Sequence, residues 1–172
     1  MILFLISAAD SYSSFLISNF KTKFACELKE YDVNNFFEKK ESRKLDPFSQ
    51  YGIIASNEAI KDSLINFDKI NKEKFGVIWG SGIGGIETFQ NQIIDYNNNK
   101  EIPRFNPFFI PKLIPDICPG YISIKYNLKG PNFATVSACA SSSNAIIDAF
   151  NYIQLGYANL FISGGSEAAI NE

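Results

Sequence analysis

Three short runs of residues suited to burial each end in glycine or other small residues, and this pattern constrains the fold more than any other feature of the chain. They are Gly76-Val77-Ile78-Trp79, Phe133-Ala134-Thr135-Val136-Ser137 and Leu160-Phe161-Ile162-Ser163. The first leads into Gly80-Ser81-Gly82-Ile83-Gly84-Gly85, after which Ile86, Phe89 or Gln90, Ile93 and Ile94 recur at helical spacing up to about Tyr96. The second is introduced by the turn pair Gly130-Pro131 and passes through Ala138-Cys139-Ala140-Ser141-Ser142-Ser143. Ala145, Ile146, Ala149, Phe150 and Ile153 then mark a helix closed by Gly156, and the third run ends in Gly164-Gly165. Buried strands alternating with helices predict an α/β protein.

Upstream, Asp46 followed by Pro47 predicts an N-cap and a first helical residue, and Phe48, Tyr51, Ala55 and Ala59 give one apolar stripe through about Leu64. Pro103, Pro107, Pro111, Pro115 and Pro119 exclude a regular helix up to about Pro119, and residues 120–126 then suit a short helix or strand. Residues 24–28 suit a short strand. The rest of the first 45 residues holds no complete folding unit, and no linker divides the chain.

Composition narrows the class. At 172 residues, 46% hydrophobic and 20% charged, the chain suits one domain with a real core. A net charge of −2 without clustered Lys and Arg argues against nucleic acid. Three widely spaced cysteines and no histidine argue against a structural zinc site or a disulfide framework, and no cofactor is expected. The opening Met1-Ile2-Leu3-Phe4-Leu5-Ile6 lacks a basic flank and is too short for a signal core, and no run approaches the ~20 apolar residues of a membrane span. A soluble cytoplasmic protein is expected, with no membrane partner.

Two constellations carry chemistry. Gly80-x-Gly82-x-x-Gly85 has the form of a dinucleotide fingerprint, but Lys100-Glu101-Ile102-Pro103-Arg104 is no second acidic-ended strand, and no Gly-Lys-Ser/Thr follows for a P-loop. A close-packed glycine turn lining an apolar pocket, with Ile83 its one large side chain, reads better. At Cys139, small neighbours allow a sharp strand-to-helix turn that lifts the sulfur clear at the end of a central strand, facing a cleft. A helix N-terminus there would stabilise a thiolate and an oxyanion. On the bare pattern both an acyl-accepting nucleophile and a buried core cysteine remain open.

These residues give the chain a resemblance to the beta-ketoacyl-acyl carrier protein synthases, most nearly the type II condensing enzymes of fatty-acid synthesis. It rests on Arg43-Lys44-Leu45-Asp46 with Gln50-Tyr51-Gly52-Ile53, then Gly80-Ser81-Gly82-Ile83-Gly84-Gly85 and Asn106-Pro107-Phe108-Phe109-Ile110-Pro111. Gly130-Pro131 with Ser137-Ala138-Cys139-Ala140-Ser141, and Ser163-Gly164-Gly165-Ser166-Glu167, complete it in the family's order. The resemblance spans about residues 20–172, so residues 1–172 are expected to form one incomplete ketosynthase N-terminal domain.

The resemblance implies a thiolase-like α/β fold and decarboxylative Claisen condensation. An acyl group would pass from acyl carrier protein to Cys139 and be lengthened by malonyl carrier protein. Ile83 matches the residue that gates the acyl pocket, and Phe109 an aromatic lining it near the partner of a homodimer. The fold should be partial: Met1 to Asp10 does not reproduce the family's first strand and glycine turn, and the half bearing the two catalytic histidines has no counterpart here. Ser166 and Glu167 are expected to be structural, Asp46 a cap, and Asp116 and Asp148 surface charges. Activity alone is therefore not expected. The rival readings are a non-catalytic partner of a complete ketosynthase and another thiolase-fold acyltransferase.

Overall fold

The computed structural model describes residues 9–11, 21, 24–26, 28, 30–99 and 104–170. Ala9–Ser11 (β1) and Phe24–Cys26 (β2) pair antiparallel in a sheet of their own. The strand expected over 24–28 is thus three residues long, and the expectation for Met1 to Asp10 falls mostly outside the described residues. Lys39–Ser42 (α1), Pro47–Asp62 (α2) and Phe75–Gly80 (β3) follow. Next come Ile86–Asn98 (α3), Phe109–Leu113 (α4) and Ile117–Tyr126 (α5). Asn132–Thr135 (β4), Ser141–Gln154 (α6) and Leu160–Gly165 (β5) complete the order.

β3 lies between β4 and β5 and runs parallel to both. All six of its residues are buried, because helices cover both faces, and so its sequence is a continuous apolar run rather than an alternating one. Val77 and Trp79 pack with Phe48, Ile53, Cys118 and Ile122, the contributions of α2 and α5. Ile78 faces the other way, onto Ala145 and Ala149 of α6, with Phe133 and Phe161 beside them. Alanine at both contacts lets α6 lie close as it crosses from β4 to β5.

The three strands end at one level, since Gly80 is paired with both Thr135 and Gly165. Glycine is required there. A Cβ on Gly80 would lie 2.3 Å from the carbonyl carbon of Ser141, and one on Gly165 would lie 2.7 Å from Ser142 Cβ. The first turn of α6 therefore rests directly on the end of the sheet.

Several elements differ from the sequence expectation. β4 stops at Thr135, two residues early, and is an outer strand of the described sheet, so Cys139 does not follow the central strand. α2 buries Phe48, Gly52, Ile53 and Ser56, a face turned from the expected stripe because Gly52 has to sit against Trp79 and Cys118. Leu64, beyond its end, is 89% exposed. Prolines do not exclude helix before Pro119: Pro111 and Pro119 are each the third residue of α4 and α5. A helix leaves its first four N–H groups unpaired, so a proline there loses no bond.

Asp46 joins α2 to α3. Its Oδ1 accepts from Phe48 N–H at 3.2 Å, as expected of a cap, and its Oδ2 accepts from Thr88 N–H in the first turn of α3 at 3.0 Å. Burial holds this carboxyl above its usual range, while Thr88, the Phe48 N–H and the charge of Lys112 pull it down. Each oxygen serves a different helix, so Asp46→Asn leaves one buried N–H facing an amide nitrogen. Urea denaturation should show a loss of about 1–3 kcal/mol, and a curve superimposable on wild type would mean that the two helices hold without it. Gly80→Ala should cost about 3 kcal/mol or more, since backbone has to move, whereas Gly120→Ala in α5 meets nothing within 4 Å and should stabilise by up to about 1 kcal/mol. Equal thermal shifts for the two glycine variants would contradict the close packing of α6 on β3.

Candidate active site

A 3-10 turn, Ala138–Ala140, carries the chain from β4 into α6. Ala138 has φ 50°, a left-handed conformation that costs a non-glycine residue roughly 1–2 kcal/mol. Ser141 holds it there. Its buried Oγ accepts from Ser137 N–H at 2.8 Å and donates to Ala138 O at 2.7 Å. Thr135 Oγ1 donates to Ser141 O at 2.8 Å, and Asn144 Nδ2 donates to Ser137 Oγ at 2.6 Å. Cys139 stands on this braced turn and is exposed, which removes the core-cysteine reading. Cys118 is its opposite: it is fully buried, burial pushes its thiol far up, and its Sγ lies 4.0 Å from Ser49 O.

The glycine turn packs against the cysteine turn. Ser81 N–H donates to Thr135 O at 3.2 Å, and Ser81 Oγ accepts from Gly84 N–H at 3.1 Å. A Cβ on Gly82 would lie 3.3 Å from Ala138 Cα. On its other flank the turn meets α4: Gly85 N–H donates to Leu113 O at 2.9 Å, and Gly84, with φ 83°, leaves only 2.5 Å between a Cβ and that oxygen. The turn of Ile83 thus bridges the turn of Cys139 and the helix of Phe109. Ile83 is 54% exposed. Phe109 is half-buried and stacks on Phe89 at 6.2 Å and Phe105 at 5.0 Å, and Phe105 stacks on Tyr96 at 4.7 Å. A recess of about 90 Å³ nearby is lined by Pro47 and by polar residues, among them Glu87, Thr88, Asn91, Gln92 and Lys112, and by none of Cys139, Ile83 or Phe109.

Sequence reasoning missed how β5 enters. Beyond its end, Ser166 Oγ accepts from Trp79 Nε1 at 2.9 Å and donates to Phe48 O at 2.7 Å, a structural role as expected. Glu167 Oε2 accepts the N–H groups of Gly82 and Ile83 at 2.6 and 2.9 Å. Those donors are the ones a phosphate would need, so the occupied turn also disfavours nucleotide binding. The strand objection to that fingerprint rests largely on residues 100–103, which lie outside the described residues. A carboxylate just past a glycine pair was the one available signal for Glu167, and its partner lies 84 residues upstream.

The family described as beta-ketoacyl synthase, N-terminal domain, matches residues 12–172. A 3-oxoacyl-[acyl-carrier-protein] synthase 2 of Staphylococcus aureus is 45% identical over 149 residues, which is 85% of this chain and 36% of that protein. Its counterpart in Synechocystis sp. is 40% identical over 151 residues, 86% of this chain and 35% of that one. Among solved structures, a type II polyketide ketosynthase in complex with its acyl-carrier protein superposes with a TM-score of 0.76 at 24% identity, over 83% of this chain and 41% of that one. A beta-ketoacyl synthase from Burkholderia phymatum gives 0.71 at 23% identity, over 89% and 38%. These likenesses show the fold, that of the thiolase-like ketosynthases, in part. The chain spans little more than a third of the length of the curated relatives it matches. With a family match across nearly all its residues and that fold, this chain belongs to the beta-ketoacyl synthase family through its N-terminal domain.

Proposed function

We propose that this chain supplies the acyl-accepting part of a 3-oxoacyl-acyl carrier protein synthase, with the acyl group held as a thioester on Cys139. The observation that carries this reading is an exposed sulfur on a braced, left-handed turn, immediately before a 14-residue helix at the carboxyl end of a parallel sheet. In α/β sheets ligands bind beyond the carboxyl ends of the strands. The unpaired N–H groups of a helix's first turn favour negative charge, on a thiolate and on the oxyanion that forms when it attacks a thioester. The Cys139 thiolate adds to the acyl carbon and the carrier thiolate leaves. Malonyl carrier protein then loses carbon dioxide, and the resulting carbanion attacks acyl-Cys139, releasing the cysteine thiolate and a 3-oxoacyl product. Ile83 gates the acyl pocket and Phe109 lines it, which the contacts of the glycine turn with both neighbouring elements support.

Decarboxylation and the developing enolate require donor groups that the family resemblance assigns to histidines, and this chain has none. Further polypeptide has to supply them. α6 offers a face for it: Ile147, Phe150 and Ile153 are 54%, 61% and 40% exposed, and Asp148 is the helix's single charged residue. An acyl carrier protein partner belongs to the same proposal; Lys39, Lys40, Arg43 and Lys44, interleaved with Glu38 and Glu41, lie in the stretch whose Lys44 Nζ stands 5.6 Å from the Phe108 ring, next to Phe109. A homodimer belongs to the same proposal, with the outer edge of β4, unpaired among the described residues, available to it. So does a soluble, cytoplasmic setting; among the described residues no helix is long and apolar enough to cross a membrane.

Purified chain mixed with acyl-acyl carrier protein should gain the acyl mass on Cys139, and Cys139→Ala should not. Adding malonyl carrier protein should give no 3-oxoacyl product, because general acid–base groups are worth roughly 10²–10⁴-fold each. Absence of any adduct on the wild-type chain would overturn the proposal. Product formed by the chain alone at an enzymatic rate would contradict its incompleteness.

A further inference from the structure

Glu167 reaches from the exit of β5 to the turn at the exit of β3. One carboxylate oxygen, Oε2, accepts both the Gly82 and the Ile83 N–H groups, and Ser81 Oγ lies 3.4 and 3.5 Å from the two oxygens. Elsewhere in this turn, Ser81 N–H is tied to Thr135 O and Gly85 N–H to Leu113 O, Gly84 N–H is held by the turn's own Ser81 Oγ, and Gly80 O accepts from Ser166 N–H. The Gly82 and Ile83 N–H groups are held by a side chain. The space a Cβ on Gly82 would take lies 3.0 Å from Glu167 Oε2 and 3.3 Å from the Cα of Ala138, the residue before Cys139. The peptide that carries Ile83 is therefore bonded to a carboxylate and packed close to the cysteine turn.

We infer that Glu167 is a specificity-determining positioning residue. By holding the Gly82 and Ile83 N–H groups it fixes where the Ile83 side chain stands relative to the Cys139 sulfur, and so which lengths of apolar chain on that sulfur are accommodated. The inference rests on the reading of Cys139 as acyl carrier and Ile83 as gate. Because a single oxygen takes both bonds, the turn needs an acceptor at that reach rather than a charge. A glutamine carbonyl supplies it, an aspartate is one methylene short, and an alanine has none.

The test needs no acyl transfer, so it stays separate from the test of the proposed function. The whole chain is alkylated with N-alkyl iodoacetamides of short and long alkyl chain, and adducts on Cys139 are counted by peptide mass spectrometry. Wild type should discriminate between the two reagents. Glu167→Ala and Glu167→Asp should reduce that ratio about tenfold, the scale on which apolar pockets discriminate chain length, and Glu167→Gln should retain it within about threefold. Hydrogen exchange at the Gly82 and Ile83 amides should accelerate about tenfold in the Ala and Asp variants and stay near wild type in Gln. The Asp variant serves if the Ala variant does not fold. A wild-type chain that alkylates without length preference, an unchanged ratio in the Ala and Asp variants, or unchanged amide exchange would each overturn the inference. So would a Gln variant that behaves like Ala.

Discussion

Contact between the Gly80 backbone and the first turn of α6 is the constraint on which the rest depends. A Cβ at that position would overlap the Ser141 peptide, so the helix that follows Cys139 rests on the sheet end only because glycine stands there. The strands finish in register, which puts three chain exits at one height: the glycine turn from β3, the cysteine turn from β4 and the Ser166-Glu167 pair from β5. Every candidate side chain near the sulfur is presented from one of these exits or from α4, which packs on the first of them. Positioning is therefore a property of backbone fit at the sheet end, and the side chains inherit it.

Polar anchors hold the parts that apolar packing leaves loose. Thr88 is the buried residue of α3, and what it meets is the carboxylate of Asp46, already bonded to the N-terminus of α2. Ser141 plays the same part for the cysteine turn, where its hydroxyl both accepts and donates to keep Ala138 in a left-handed conformation. Ser166 links Trp79 to the carbonyl of Phe48 and so joins β5 to α2 through the core. Each anchor joins residues distant in sequence or braces a conformation that its own side chain disfavours. Unsatisfied buried groups at these points would cost about 1–3 kcal/mol each.

Much of this was legible in the sequence. The β3 run, the cap at Asp46, the helix closed by Gly156 and the sharp turn that carries Cys139 all follow from local rules, because each is decided by residues within one turn or strand. The stripe of α2 was misplaced because Gly52 and Ser56, which allow close approach, do not look apolar. The proline segment was misread because position within a helix, rather than proline itself, decides the cost. Glu167 was unreadable for another reason: its partners are fixed by strand register, and register is a long-range property. The apolar residues of α3 and α6 matched helical spacing, yet Phe89, Ile94, Phe150 and Ile153 are exposed. Periodicity shows that a face is apolar, not what covers it.

In the proposed function, the sheet end directs a chain on Cys139 past Ile83 toward Phe109. A crystal structure of the protein carrying a long N-alkyl acetamide on Cys139 tests it most directly. Alkyl density in van der Waals contact with both Ile83 and Phe109 is the expected result. Density running instead along the exposed Ile147 and Phe150 face of α6, with Ile83 and Phe109 untouched, would contradict it.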